Sequence, residues 1–423
     1  MTLGLFACSA SSGNNGNNGT GGSGAGIGTG GTASGGSGAA VSLDGGTDAT
    51  PPAVAHLQGK VFAPQGALPI SGALVYLTSG SVDPIPSGVY CDRCVNLPSG
   101  VPYTFSAPDG SFNLPAYATG QSTLVVQKGQ FRRVRTIDIT AGDQSVATAL
   151  TTLPKKTDAA QGDNIPNMAV VIGQWDAIEV SLAKLGLGQL QPGFLGLGSD
   201  VVPGSASFAM INGPDAFLSN PAELDKYQVI FIPCSGSSGT ECDATLPGNA
   251  TVQKNLQDWV AKGGKLYVTD YSYEYIRQSW PGYIDWYGQS SSLGSACQGD
   301  AYDAPATVKD SDMAAWLAAT GVSNFTVDQS WTIIDKVNAV STTDLDGNPA
   351  TVTPKVWVEG QVPNVGVKPT TVSFVRSCGR VLFSTYHTES SSGGPTSPLL
   401  PQEAALLYVL LEVGVCVSPT VPR

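Results

Sequence analysis

The chain has 423 residues, with 21 basic against 33 acidic side chains and a formal net charge of −12. That length allows two or three domains with a sizeable core, and the acidic surplus repels phosphate backbones and so argues against nucleic acid as a partner. Only 13% of residues are charged, Gly and Pro number 52 and 29, and nothing approaches the roughly 18-residue apolar run of a transmembrane helix, so the composition suggests an exported protein.

The N-terminus comes first. Residues 1–8 end in Leu5-Phe6-Ala7-Cys8, and residues 9–54 are almost only Gly, Ser, Asn, Ala and Thr at first. Such a segment cannot bury enough apolar area to offset its ordering entropy, so a disordered tether is expected. The Leu5–Cys8 stretch resembles a bacterial lipobox, in which the cysteine is lipidated after cleavage on its amino side. The resemblance implies an outer-membrane lipid anchor on Cys8, with Ser9 in the position where Asp would signal otherwise. Only seven residues precede Cys8 and none is basic, so a start further upstream or a trimmed leader is expected.

Residues 55–154 hold short alternating runs: Leu57–Phe62, Ala73–Leu77, Ser111–Leu114, Ser122–Gln127 and Arg135–Ile139. Turn residues such as Pro108-Asp109-Gly110 separate them, and this pattern predicts a small β-sandwich. Gly59-Lys60-Val61, Ile70–Val75 and Ala107–Phe112 resemble the carboxypeptidase regulatory-like (transthyretin-like) domain, an accessory module without catalytic residues. An insertion, Ser79 to Tyr103, carries Cys91-Asp92-Arg93-Cys94, read as a disulfide or loop staple.

Residues 164–417 switch to alternating strands and helices. Met168–Gly173, Val229–Pro233, Lys265–Asp270 and Arg380–Thr385 read as buried strands. Val252, Leu256, Trp259 and Val260 mark one helix face, and Gln402 to Val413 is a last helix. A mostly parallel sheet covered on both faces follows, with an irregular insertion at about 271–375. The segments Leu224–Phe231, Leu256–Asp270 and Gly379–Glu389 resemble the class I glutamine amidotransferase-like, flavodoxin-related fold. In that family a His-x-Glu orients the base of a Cys-His-Glu triad, which implies a role for His387 and Glu389. The nucleophilic Cys of its tight turn is missing from Val268–Tyr273, where Ser272 is a poor substitute.

Ligands bind at the carboxyl ends of strands in such sheets, so Gln174, Asp270, Tyr271 and His387 are expected to line one crevice, with Trp280 among the aromatics beyond. The aromatics from Tyr271 to Tyr287 are either a stacking surface or a local core. Asp344–Asn348 reads as a hairpin turn rather than a calcium loop. Among eight cysteines, the sequence alone leaves the disulfide connectivity open. Short-range pairing suggests Cys91 with Cys94 and Cys234 with Cys242, Cys378 with Cys416 would tie a late strand to the C-terminus, and Cys297 is left free or paired between chains. A catalytic Cys234–His387 pair, or a metal on Asp270, His387 and Glu389, is a minor alternative, and no cofactor is expected. Two functions remain open. One is a lipid-anchored surface protein with a non-catalytic binding or scaffold role toward a protein or glycan. The other is a surface hydrolase or amidase using His387 and Glu389.

Overall fold

The computed structural model describes residues 52–92, 95–191, 198–235, 242, 245–345, 347–388 and 398–411. Cys8, Cys94, Cys416, Glu389 and the tether up to residue 51 lie outside the described residues.

The first unit is two sheets face to face. Five strands run in the order Tyr103–Phe105, Leu74–Thr78, Gly120–Lys128, Phe131–Ile139 and Asp163–Asn164, and three run Ser111–Ala116, Ala55–Lys60, Gly142–Ser145. Alternation decides what meets between them. Leu57, Phe112 and Leu114 from one sheet share a core with Val75, Leu77, Leu124, Val126, Ile137 and Ile139 from the other. At the turn before Ser111, the Asp109 carboxylate accepts its backbone N–H at 3.0 Å. Gly110 follows Asp109 with φ +79°, and a side chain there would strike the Val61 carbonyl.

The second unit is built on nine strands in the order Ala209–Ile211, Met168–Val171, Val229–Ile232, Lys265–Thr269, Gly379–Ser384, Gly366–Arg376, Lys355–Val362, Tyr302–Val308, Thr326–Ser330. The first five are parallel. In chain order they run 2-1-3-4-5, a doubly wound arrangement whose direction reverses between Met168–Val171 and Val229–Ile232. The other four are antiparallel and come almost entirely from the stretch expected to be irregular. The sheet is therefore mixed rather than mostly parallel.

Strand parity sorts the side chains onto two faces. Ile230, Ile232, Leu266, Val268, Val381 and Phe383 pack with Val252, Leu256, Trp259 and Val260 of the helix Ala250–Lys262. Val170, Phe231, Tyr267 and Leu382 point the other way, onto Ala404–Val409 of the helix Pro401–Leu411 and onto Ile178 and Leu182. That second face is continuous with the sandwich core. The two units are also bonded: Trp316 Nε1 donates to the Pro69 carbonyl at 2.8 Å, and the Gln65 N–H to the Leu185 carbonyl at 3.0 Å.

The insertion of the sandwich lies along the same seam. Gln228 Nε2 donates to the Pro86 carbonyl at 2.6 Å, the Val89 N–H to the Asp225 carbonyl at 2.9 Å, and Lys265 pairs with Asp92 at 3.2 Å. This docking changes the disulfides. Cys91 is bonded to Cys378, 287 residues away with Cα atoms 5.0 Å apart, and so to neither Cys94 nor, through Cys378, Cys416. Cys242 is bonded to Cys297, which is therefore not free, and Cys234 is a free, buried thiol. Sequence nearness misled here because the sheet, and not the loop, decides which cysteines meet.

Candidate functional site

Three parallel strands deliver three side chains to one point. Cys234 stands two residues after Val229–Ile232, Asp270 directly after Lys265–Thr269, and His387 three residues after Gly379–Ser384. The three strands are neighbours, so their carboxyl ends lie side by side. One ligand atom from each of the three lies within 4.8 Å of the others. His387 Nε2 is 3.2 Å from Asp270 Oδ2, and Cys234 Sγ is 4.0 Å from the same oxygen. All three residues are buried, at 1%, 0% and 4% exposure for Cys234, Asp270 and His387.

Asp270 is the residue on the strand-to-helix elbow. Its φ is +44°, a left-handed backbone that a non-glycine residue adopts only when its surroundings impose it. A short 3₁₀ turn and the helix Glu274–Ser279 follow at once. The carboxylate accepts the Trp331 N–H at 3.0 Å and the Thr332 hydroxyl at 2.9 Å. Both donors belong to the stretch between residues 271 and 375, so that stretch closes one wall of the site. Ser272, on the same turn, donates its hydroxyl to the Pro233 carbonyl at 2.7 Å and is committed there.

Asp176 holds the arrangement together, and no motif points to it beyond its place near Gln174. Its Oδ2 accepts the Thr269 hydroxyl at 2.7 Å, and Thr269 Oγ1 in turn accepts the Cys234 N–H at 2.8 Å. Its Oδ1 accepts the Thr388 N–H at 2.9 Å and the Thr388 hydroxyl. One carboxylate thus ties the backbones that carry Cys234, Asp270 and His387.

Burial pushes the Cys234 thiol up to about 11, so at neutral pH it is protonated. Burial also raises Asp270, against the hydrogen bonds and the charge of His387 that favour its carboxylate. For His387, burial alone would lower the imidazole, but the acidic groups of Cys234 and Asp270 beside it hold it well above the ordinary histidine range. Neither ring nitrogen makes a hydrogen bond of ordinary geometry among the described residues, despite the short approach to Asp270.

The other expected site residues scatter. Gln174 is exposed and Tyr271 buried, its hydroxyl donating to the Gln298 carbonyl at 2.8 Å. Trp280 is buried, its ring 6.2 Å from Phe374. Tyr273, Tyr275, Tyr283 and Trp286 are buried with it, so these aromatics are a core, and only Tyr287 is exposed, at 43%. An aromatic that sequence reasoning passed over does face solvent beside the cluster: Trp175 is 48% exposed, and its N–H donates to the Cys234 carbonyl at 3.2 Å. His56 lies on a strand of the sandwich. Asp344–Asn348 is a hairpin turn between Val340–Thr343 and Pro349–Val352.

No protein-family model and no curated protein matches the chain. Solved structures superpose on it loosely. A putative ThuA-like protein from Bacteroides uniformis does so with a TM-score of 0.32 at 10% identity, over 58% of this chain and 89% of that one. A cytoplasmic protein from Salmonella typhimurium gives 0.34 at 11%, over 58% and 98%. A β-galactosidase from Bacillus circulans gives 0.31 at 10%, over 58% of this chain but 30% of that one. The chain thus spans under a third of that enzyme's length. Likeness this loose carries no argument about activity.

Proposed function

We infer that this chain is an exported, lipid-anchored surface protein whose α/β domain is a hydrolase or amidase centred on His387. One observation carries the catalytic part: a free thiol and a carboxylate converge on the imidazole at the carboxyl ends of three neighbouring parallel strands. Ligand sites of doubly wound sheets are found at such ends. The reading treats the domain as amidotransferase-like, with Asp270 on the elbow where that family has its cysteine. The scaffold reading is weakened because the aromatics that would have formed its stacking surface are buried.

In this reading His387, held as the imidazolium by the acidic groups beside it, gives its proton to the leaving group as water attacks, and Asp270 keeps the ring in place. Cys234 does not attack, since its burial keeps the proton on sulfur. Trp175 offers a face on which a sugar ring or a peptide aromatic would rest. The anchor rests on Leu5–Cys8 and the tether behind it. The disulfides Cys91–Cys378 and Cys242–Cys297 suit an oxidising compartment.

A panel of chromogenic esters and amides tests the chemistry. The full chain should turn over at least one class, and His387→Ala should reduce its rate about 100-fold or more with the fold retained. Turnover unaffected by His387→Ala, or none across the panel, would return the domain to a scaffold. Fatty-acid labelling in the native host tests the anchor, which fails if Cys8→Ala labels as well as the native chain.

A further inference from the structure

The geometry points to a divalent-cation site of zinc class formed by Cys234, Asp270 and His387. The inference deepens the hydrolytic reading of the same cluster, and its test is independent of turnover. A proton relay places nucleophile and acid at opposite ring nitrogens, with the imidazole between them. Here the thiol sulfur and the carboxylate oxygen are only 4.0 Å apart, and the three groups converge instead of forming a line.

Convergence is what a metal ion requires. Tetrahedral zinc with ordinary bond lengths sets its nitrogen and oxygen ligands about 3.4 Å apart, and its sulfur and oxygen ligands about 3.6 Å apart. The corresponding separations in this chain are 3.2 Å for His387 Nε2 to Asp270 Oδ2 and 4.0 Å for Cys234 Sγ to the same oxygen. Those two separations lie within a few tenths of an ångström of the zinc values, and all three ligand atoms lie within 4.8 Å of one another.

Two further observations agree. The His387 ring is buried, yet neither nitrogen has a well-formed hydrogen bond among the described residues, a state that is costly unless something else is bound. The supporting bonds are those of a ligand set: Trp331 and Thr332 fix the Asp270 carboxylate, and Thr269, held by Asp176, fixes the backbone at Cys234. A thiolate, an imidazole and a carboxylate together select zinc or cobalt over magnesium or calcium. Three protein ligands leave a fourth position for water, as in catalytic rather than structural zinc sites. Binding takes Cys234 as thiolate and His387 as neutral imidazole, and the protons both give up leave to solvent.

The test loads the full chain with Co(II), then with zinc, during refolding from urea with disulfides intact. The expected result is one ion per chain, and with cobalt a thiolate-to-metal charge-transfer band. Cys234→Ser should abolish that band and weaken zinc binding about 100-fold in competition with a chromophoric chelator, its circular dichroism unchanged. His387→Ala should also lose the ion. A folded native chain that takes up no stoichiometric metal, or a band that survives Cys234→Ser, overturns the site. If the ion fails to bind while hydrolysis still depends on His387, the metal is wrong and the hydrolytic reading stands. If the ion binds and no substrate turns over, the metal site stands without it.

Discussion

At the scale of single residues, the buried charges set the behaviour of the site. Glu179 is the clearest case outside the cluster. It is 1% exposed, its Oε2 has no hydrogen-bond partner among the described residues, and burial, with the charges of Asp176 and Asp200 beside it, pushes its carboxyl from 4.5 up to about 7. A carboxyl whose folded pKa lies above its unfolded value contributes stability that is full below the unfolded value and is lost as pH rises through the folded one. The chain should therefore lose on the order of 3 kcal/mol between about pH 4.5 and 7.5 from this group. In urea titrations Glu179→Gln should flatten that slope, and an identical slope in the variant would mean Glu179 is already ionised. Trp175 belongs to the same scale. If it seats substrate, Trp175→Ala raises KM about tenfold and leaves kcat unchanged. An unchanged KM would place the binding face elsewhere.

At the scale of elements, close backbone contacts decide what can change. Gly263 ends the helix Ala250–Lys262 at φ +123°, and a side chain there would strike the Tyr90 carbonyl of the sandwich insertion. Gly263→Ala should cost roughly 2–4 kcal/mol in chemical denaturation, through backbone strain and loss of that docking. A cost within about 0.5 kcal/mol, the range of ordinary surface substitutions, would show that the seam contributes little. The elements also show what a sequence can and cannot reveal. Buried parallel strands such as Val229–Ile232 are apolar on both faces, and that run is visible on its own. The antiparallel strands were not. Tyr302–Val308 and Gly366–Arg376 contain Pro305 and Pro369, which look like strand breakers. Each proline lies where its strand has a ladder on one side only, so the missing N–H costs nothing. The cluster was half legible. His387 and Asp270 stood out as a titratable group near a strand end, whereas Cys234 was hidden behind a plausible short-range disulfide. Asp176 had no motif at all, because its role exists only once three strand ends are side by side.

At the scale of the whole molecule, the sandwich and the α/β sheet share one apolar core and a covalent link between Cys91 and Cys378. The sandwich is thus a wall of the second unit rather than a bead on the tether. A 287-residue separation makes that link effective at restricting the unfolded chain. The second disulfide, Cys242–Cys297, joins the loop after the Val229 strand to the stretch that supplies Trp331 and Thr332 to Asp270. With those four cysteines committed, Cys234 is left as the thiol beside His387, and both the hydrolytic reading and the metal site rest on that fact. The most direct measurement is therefore a cysteine map of the native chain: alkylation before and after unfolding without reductant, then mass spectrometry of the peptides. The account predicts linked peptides for Cys91–Cys378 and Cys242–Cys297, with Cys234 unmodified in the folded chain and fully alkylated on unfolding. A peptide linking Cys234 to Cys242 would contradict it, leaving His387 with no thiol partner and the metal site with no sulfur ligand.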